Sequence, residues 1–239
     1  MAKRIIETDG FHRKLEGWPF VFAILVGLSI LVGGVVEFLP LVLVADNIPR
    51  ISTVTPYTPL ELAGRDLYIR EGCNNCHSQQ VRPFRDEIER YGDYSKPGES
   101  VYDHPFLWGS KRSGPDLARI GGKYPDLWHV RHMEDPRSTS PRSLMPPYAW
   151  LLRKELDFST LSTKLRALRR IGVPYSDQEV ANAAPLAQAQ ARTIAADVVA
   201  QGGPVGLEDR EIVAMVAYLQ RLGKDLKAAS PTLAEEVSP

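Results

Sequence analysis

Cys73-Asn74-Asn75-Cys76-His77 constrains this chain more than any other stretch. The pattern C-x-x-C-H is that of covalent c-type haem attachment. Two thiols at this spacing can each add to one vinyl group on the same porphyrin edge. The next residue then lies under the iron, where its imidazole can bind as proximal ligand. The rest of the chain must then wrap a flat apolar group. Cys73 and Cys76 are the only cysteines among the 239 residues, so no other pair competes for the role.

Two other uses of paired cysteines fit less well. A structural zinc site needs four ligands, usually two cysteine pairs or cysteines plus histidines at set spacings. Only one pair exists here. A thioredoxin-like redox pair sits after a strand, at the start of a helix in a βαβ unit. Here a helical pattern, Pro59 to Glu71, runs into the motif from the other side, and no βαβ pattern follows.

The formal net charge is zero, so nothing argues for nucleic acid as a partner. Covalent haem is attached after export, on the oxidising side of the bacterial membrane, and a chain with so few thiols suits that compartment. Trp18 to Val36 carries no formal charge, and apolar character resumes after Glu37 from Phe38 to Ala45. That length can span a hydrocarbon core of about 30 Å. Lys3, Arg4, Arg13 and Lys14 precede it, so the N-terminus stays in the cytoplasm and the haem motif falls outside. A cleaved signal peptide has an apolar region of only about 7 to 15 residues followed by a small-residue cleavage site. This stretch is longer and only Ala45 resembles such a site, so an uncleaved anchor is expected. Glu37, one turn before Pro40, has two readings: it snorkels to the outer interface, or it packs against a partner membrane subunit.

Beyond the anchor, Asp46 to Thr58 is polar and proline-bearing and reads as a linker. Thr58 as N-cap, Pro59 in the first turn and Glu61 completing a capping box predict a helix into the haem motif. Leu60, Ala63, Gly64, Leu67 and Tyr68 share one face of it. A second helix is predicted over Glu208 to Leu222, with Ile212, Met215, Val216, Leu219 and Leu222 as its stripe and Gly223 as its stop. Gly64 and Tyr68 on the first helix and Tyr218 on the last predict a close crossing, the way small cytochrome c domains close over their haem. Leu161, Leu165, Leu168 and Ile171 predict another helix, Ser176 to Glu179 a capping box, and the alanine-rich run to Gln201 a further helix ended by Gly202-Gly203-Pro204.

The iron needs a sixth ligand. Met1 is the initiator, and Met215 lies on the apolar stripe of the last helix. Met133 sits in the polar helical stretch His129 to Glu134. Met145 sits in Ser143-Leu144-Met145-Pro146-Pro147-Tyr148, where two prolines hold an extended loop. Met145 is the expected ligand, with His104, His129, His132 and Met133 as alternatives. A His/Met pair raises the reduction potential and leaves no open coordination site. His77 also needs an acceptor for its second ring N–H. Gly114-Pro115-Asp116-Leu117 looks like the loop that supplies one in cytochromes c, through the Pro115 carbonyl; the plainer reading is a Gly-Pro turn.

Several longer blocks carry a more specific resemblance: Tyr68-Ile69-Arg70-Glu71-Gly72-Cys73, Val81-Arg82-Pro83-Phe84-Arg85, Arg90-Tyr91-Gly92, Val101-Tyr102-Asp103-His104-Pro105-Phe106, Trp108-Gly109-Ser110-Lys111-Arg112 and Gly114 to Arg119. With Gly33 to Glu37 and Val216 to Gln220, the chain resembles the monohaem cytochrome c subunit (subunit II) of cbb3-type cytochrome c oxidases. The resemblance implies a mainly α fold, with one N-terminal transmembrane helix followed by a class I cytochrome c-like domain with helical insertions. It implies one covalently attached haem c, held by Cys73, Cys76, His77 and Met145. It also implies electron relay from a cytochrome c donor or dihaem cytochrome c subunit to a haem-copper catalytic membrane subunit, which reduces oxygen and pumps protons.

The expected organisation is a cytoplasmic N-terminus (1–17), a transmembrane anchor in lipid (18–45), the linker (46–58), a periplasmic cytochrome c domain (59–223, with a helical insertion over 149–207) and a flexible tail (224–239). The location is the bacterial inner membrane, single-pass. Arg82, Arg85, Tyr102, His104, Trp108 and Arg112 are candidates for subunit docking or haem propionate contacts, the plainer reading being packed loop and solvated charge. No catalytic residue is expected in the chain itself. The small cytochrome c subunit of a nitric oxide reductase shares the same plan, and a membrane-anchored haem sensor is a different class.

Overall fold

The structure, a computed structural model, describes residue 10 and residues 12–44, 50–109 and 111–226. Expectations that rest on Lys3, Arg4, Ala45, Ser110 or residues 227–239 lie outside that range. The chain divides into one unit up to Pro49 and another from Arg50.

The first unit is built on helix α1, Pro19–Leu43. Its 25 residues reach about 37 Å at about 1.5 Å per residue. Proline opens the helix, where no N–H is missed, and Pro40 lies inside the last turn. The window Pro19–Leu41 has a mean hydropathy of 2.5, long and apolar enough to cross a membrane. Its apolar side chains are exposed along the helix, Phe20 at 84%. Such a surface is unfavourable in water and costs nothing against lipid tails.

The second unit is mainly helical; among the described residues it has no strand, only an isolated antiparallel bridge between Glu155 and Arg210. Helix α2, Pro59–Arg70, opens with a complete capping box: the Glu61 N–H donates to Thr58 Oγ1 and the Thr58 N–H to Glu61 Oε2. Short helices α3 (Arg85–Tyr91), α4 (Asp126–Glu134) and α5 (Pro136–Thr139) follow the cysteine motif. Then come α6 (Leu161–Arg170), α7 (Asp177–Ala181), α8 (Ala183–Ala200) and α9 (Glu211–Arg221).

Helix α9 is the axis of the core, with Ile212, Val213, Ala214, Met215, Val216 and Tyr218 all fully buried. Helix α2 crosses it at Gly64. A Cβ on Gly64 would stand 1.9 Å from the Ala214 carbonyl oxygen, so only glycine permits the approach. Tyr68 meets Tyr218 edge-on beside the crossing, with ring centroids 5.4 Å apart. Helix α8 turns Ala183, Ala187, Ala191 and Ala195 inward at four-residue spacing, a thin stripe that lets it lie close to its neighbours.

Three boundaries differ from expectation. Helix α9 starts at Glu211 rather than Glu208, because 209–211 pairs with 154–156: Leu156 N–H donates to Asp209 O and Glu211 N–H to Lys154 O. Ile171 is not part of the α6 stripe; it follows the helix end and is 58% exposed. Residues 53–58, expected as linker, are bonded into the second unit: Arg221 donates to the Thr55 carbonyl at 2.8 Å and Tyr175 to the Tyr57 carbonyl at 2.8 Å. Helix α3 was not foreseen at all.

Candidate functional site

Helix α2 ends at Arg70, and a 3₁₀ turn over Cys73–Asn75 carries the motif. The two cysteines are not joined in a disulfide; Cys73 is buried and Cys76 exposed. Burial pushes the Cys73 thiol up to about 12, with Glu71 adding to the shift. The His77 N–H donates to the Cys73 carbonyl at 2.9 Å, which closes the turn and sets the imidazole beside the pair.

The ring of His77 has a defined tautomer. Nδ1 lies 2.8 Å from the Pro115 carbonyl oxygen. A carbonyl can only accept, so Nδ1 carries the proton and Nε2 keeps its lone pair. Burial lowers the His77 pKa, against the opposing effects of the Pro115 carbonyl and Asp116, which favours the neutral ring a metal needs. Gly114 lies flat against the imidazole: a Cβ there would come within 2.3 Å of Cε1 and 2.8 Å of Nε2.

The segment 114–118 is stitched to 76–80. Gly114 N–H donates to the Cys76 carbonyl at 3.0 Å and Leu117 N–H to the Ser78 carbonyl at 2.9 Å. Asp116 accepts the Gln80 N–H at 2.9 Å and the Ser78 hydroxyl at 2.5 Å.

The Met145 loop is tied down on its C-terminal side. Tyr148 N–H donates to the Met133 carbonyl at 2.7 Å, and Trp150 Nε1 to Glu71 at 3.3 Å. Met145 is half-buried and packs against the core, while Met133 is buried at 7% exposure in α4. Tyr148 sits by the cysteines: burial raises its pKa first, then Cys73 and Cys76. On α4, Trp128 stacks on Tyr124 (4.0 Å) and on His132 (4.6 Å). His129 is buried with Nε2 unpartnered, and His132 bonds Thr139 at 2.6 Å.

The six candidates for docking or propionate contact do not form one cluster. Arg82 pairs with Glu87 at 2.5 Å, and Arg85 pairs with Glu89 in solvent. Tyr102 packs on the core, the His104 carbonyl accepts from Arg65, and Trp108 stacks on Phe106. Arg112 is spent on Glu87, Ser78 and Gln80. Sequence reasoning missed Ser78, Glu87 and the packing role of Gly114. Asp116 stood in a quoted tetrapeptide without a role, and Glu87 in a charged stretch that offers no signal of burial.

The residues present fit a haem: a thiol pair, a neutral imidazole with one nitrogen held and one free, a glycine flat against its ring, and a thioether loop anchored nearby. A mainly helical domain with these features at the base of two crossed helices is of the cytochrome c type. A model of the family described as cytochrome c oxidase, mono-heme subunit/FixO matches residues 12–226, and the chain belongs to that family. Membership implies one haem, association with other oxidase subunits and a membrane setting, which α1 suits. It also decides between the oxidase reading and the nitric oxide reductase one. No curated protein matches the chain.

Proposed function

We propose that the chain is a single-electron relay in a cbb3-type oxidase, taking electrons from a cytochrome c donor or dihaem subunit and passing them to the haem-copper catalytic subunit. Cys73 and Cys76 tether one haem c through thioethers, His77 is the proximal ligand and Met145 the sixth. When bound, the haem supplies a one-electron couple that needs little change of geometry. The Pro115 carbonyl holds the Nδ1 proton of His77 and orients Nε2. Gly114 leaves no room for the ring to rotate toward its loop. The ties at Tyr148 and Trp150 hold the methionine loop in place. α1 anchors the chain in the bacterial inner membrane with its N-terminus in the cytoplasm and the second unit in the periplasm.

The observation that carries this reading is the 2.8 Å contact of His77 Nδ1 with the Pro115 carbonyl, directly after the only cysteine pair. Haem staining of a denaturing gel tests the attachment: colour at the mass of the chain is expected, and its loss in Cys73→Ala/Cys76→Ala. Met145→Ala should leave the covalent haem but open the iron to carbon monoxide in the reduced state. A wild-type chain that already binds carbon monoxide readily would point to the sensor class instead.

A further inference from the structure

We propose that Arg112, Asp116 and Glu87 form an ion-pair clamp behind His77 that sets the reduction potential of the bound haem, Arg112 raising it and the two carboxylates lowering it. The inference rests on the reading of His77 as proximal ligand. It begins from adjacency. Ser78 follows His77, and Asp116 follows Pro115, the residue whose carbonyl holds the ring. The side chains of these two followers meet: the Ser78 hydroxyl donates to Asp116 Oδ2 at 2.5 Å. Arg112 then closes the ring, with Nε donating to Ser78 Oγ at 2.7 Å and a second nitrogen 3.5 Å from Asp116. Its outer nitrogens reach Glu87 at 2.5 and 2.8 Å.

The cluster is shut off from water. The Asp116 side chain has 0% exposure, Glu87 6% and Arg112 16%. Charges in such a place are weakly screened and act on an iron held through His77 more strongly than surface charges can. The ferric state carries one more positive charge than the ferrous state. A buried carboxylate therefore favours ferric iron, and a guanidinium favours ferrous iron. Arg112, with Arg82 on the other side of Glu87, thus offsets two carboxylates that would otherwise hold the iron oxidised. Its bonds all run inward, so it is a positioning residue rather than a free docking charge.

The rival account is that the cluster only props up the loop. Loosening the loop would admit water to the haem edge and lower the potential whichever member is removed. The electrostatic account gives each member its own sign. The test is a spectroelectrochemical titration of the full-length chain in detergent, wild type against Arg112→Gln, Asp116→Asn, Glu87→Gln and Arg112→Lys. The midpoint should fall in Arg112→Gln and rise in Asp116→Asn and Glu87→Gln, with Arg112→Lys close to wild type. At a fixed ambient potential, the ratio of reduced to oxidised haem should change severalfold in Asp116→Asn. Should Arg112→Gln fail to accumulate, the two carboxylate variants decide, because a propping role never predicts a rise. Shifts of one common sign, or none, overturn the clamp while leaving the haem assignment intact. A wild-type chain without covalent haem overturns the proposed function, and the clamp with it.

Discussion

At the scale of single residues, His77 and Gly114 act as one unit. The imidazole can keep its orientation only because the residue beneath it has no side chain. Gly114→Ala should displace the ring from the Pro115 carbonyl and cut the haem retained per chain by more than half; an unchanged pyridine haemochrome yield would rule that out. Acid stability also belongs here. The Arg112 guanidinium beside Glu87 holds its carboxyl down at about 2, against an ordinary 4.5. A lowered carboxylate stabilises the fold above the ordinary value and loses that contribution as pH falls toward the folded one. His129 works in the same direction by a different cause. Burial first, then His132, lowers it from 6.5 to about 4, so the folded ring is neutral where the unfolded one takes a proton. Stability should therefore begin to fall below about 6.5 from His129 and fall further below about 4.5 from Glu87. Thermal unfolding followed against pH checks this, and His129→Gln should shrink the upper part of the decline and leave the lower part in place.

At the scale of elements, the α2–α9 crossing decides whether the domain closes. Gly64→Ala drives a methyl group into the Ala214 carbonyl and the Tyr218 Cβ. The expected loss is on the order of 3 kcal/mol, read as a large drop in the unfolding midpoint. Thr58→Ala is a milder probe. It removes one side of the capping box and the bond to Gln190 at 2.8 Å that ties the start of α2 to α8. About 1 kcal/mol is expected, with the haem spectrum unchanged. Both capping boxes could be foreseen because the signal is local: a hydroxyl and a carboxylate three residues apart. The start of α9 could not. Residues 208–210 have helix-compatible composition, but the backbone of 209–211 is claimed by residues 154–156, far away in sequence. Helix α3 was hidden for a related reason. The only buried residue on it, Glu87, is held by Arg82 and Arg112 from outside the helix.

At the scale of the whole molecule, the division at Pro49 separates an apolar helix from a domain with its own core. Removing residues 1–49 should give a chain that reaches the soluble fraction and still unfolds cooperatively, since residues 53–58 stay bonded to Arg221 and Tyr175. Fractionation and circular dichroism check it. Aggregation of the shortened chain would mean that the second unit depends on α1 for its fold.

Much of this protein is local chemistry written in order along the chain. The spacing Cys73-x-x-Cys76-His77, the uncharged run from Trp18 to Val36 and the Thr58 and Ser176 caps can each be read within a few residues, because each depends on neighbours in sequence. What the folded chain alone decides is how distant segments meet. Ser78 meets Asp116 across 38 positions, Arg112 turns inward instead of meeting solvent, and residues 154–156 take the first turn from α9. Hydrogen bonds and ion pairs between segments far apart leave no periodic trace in a sequence; only packing brings their partners within reach.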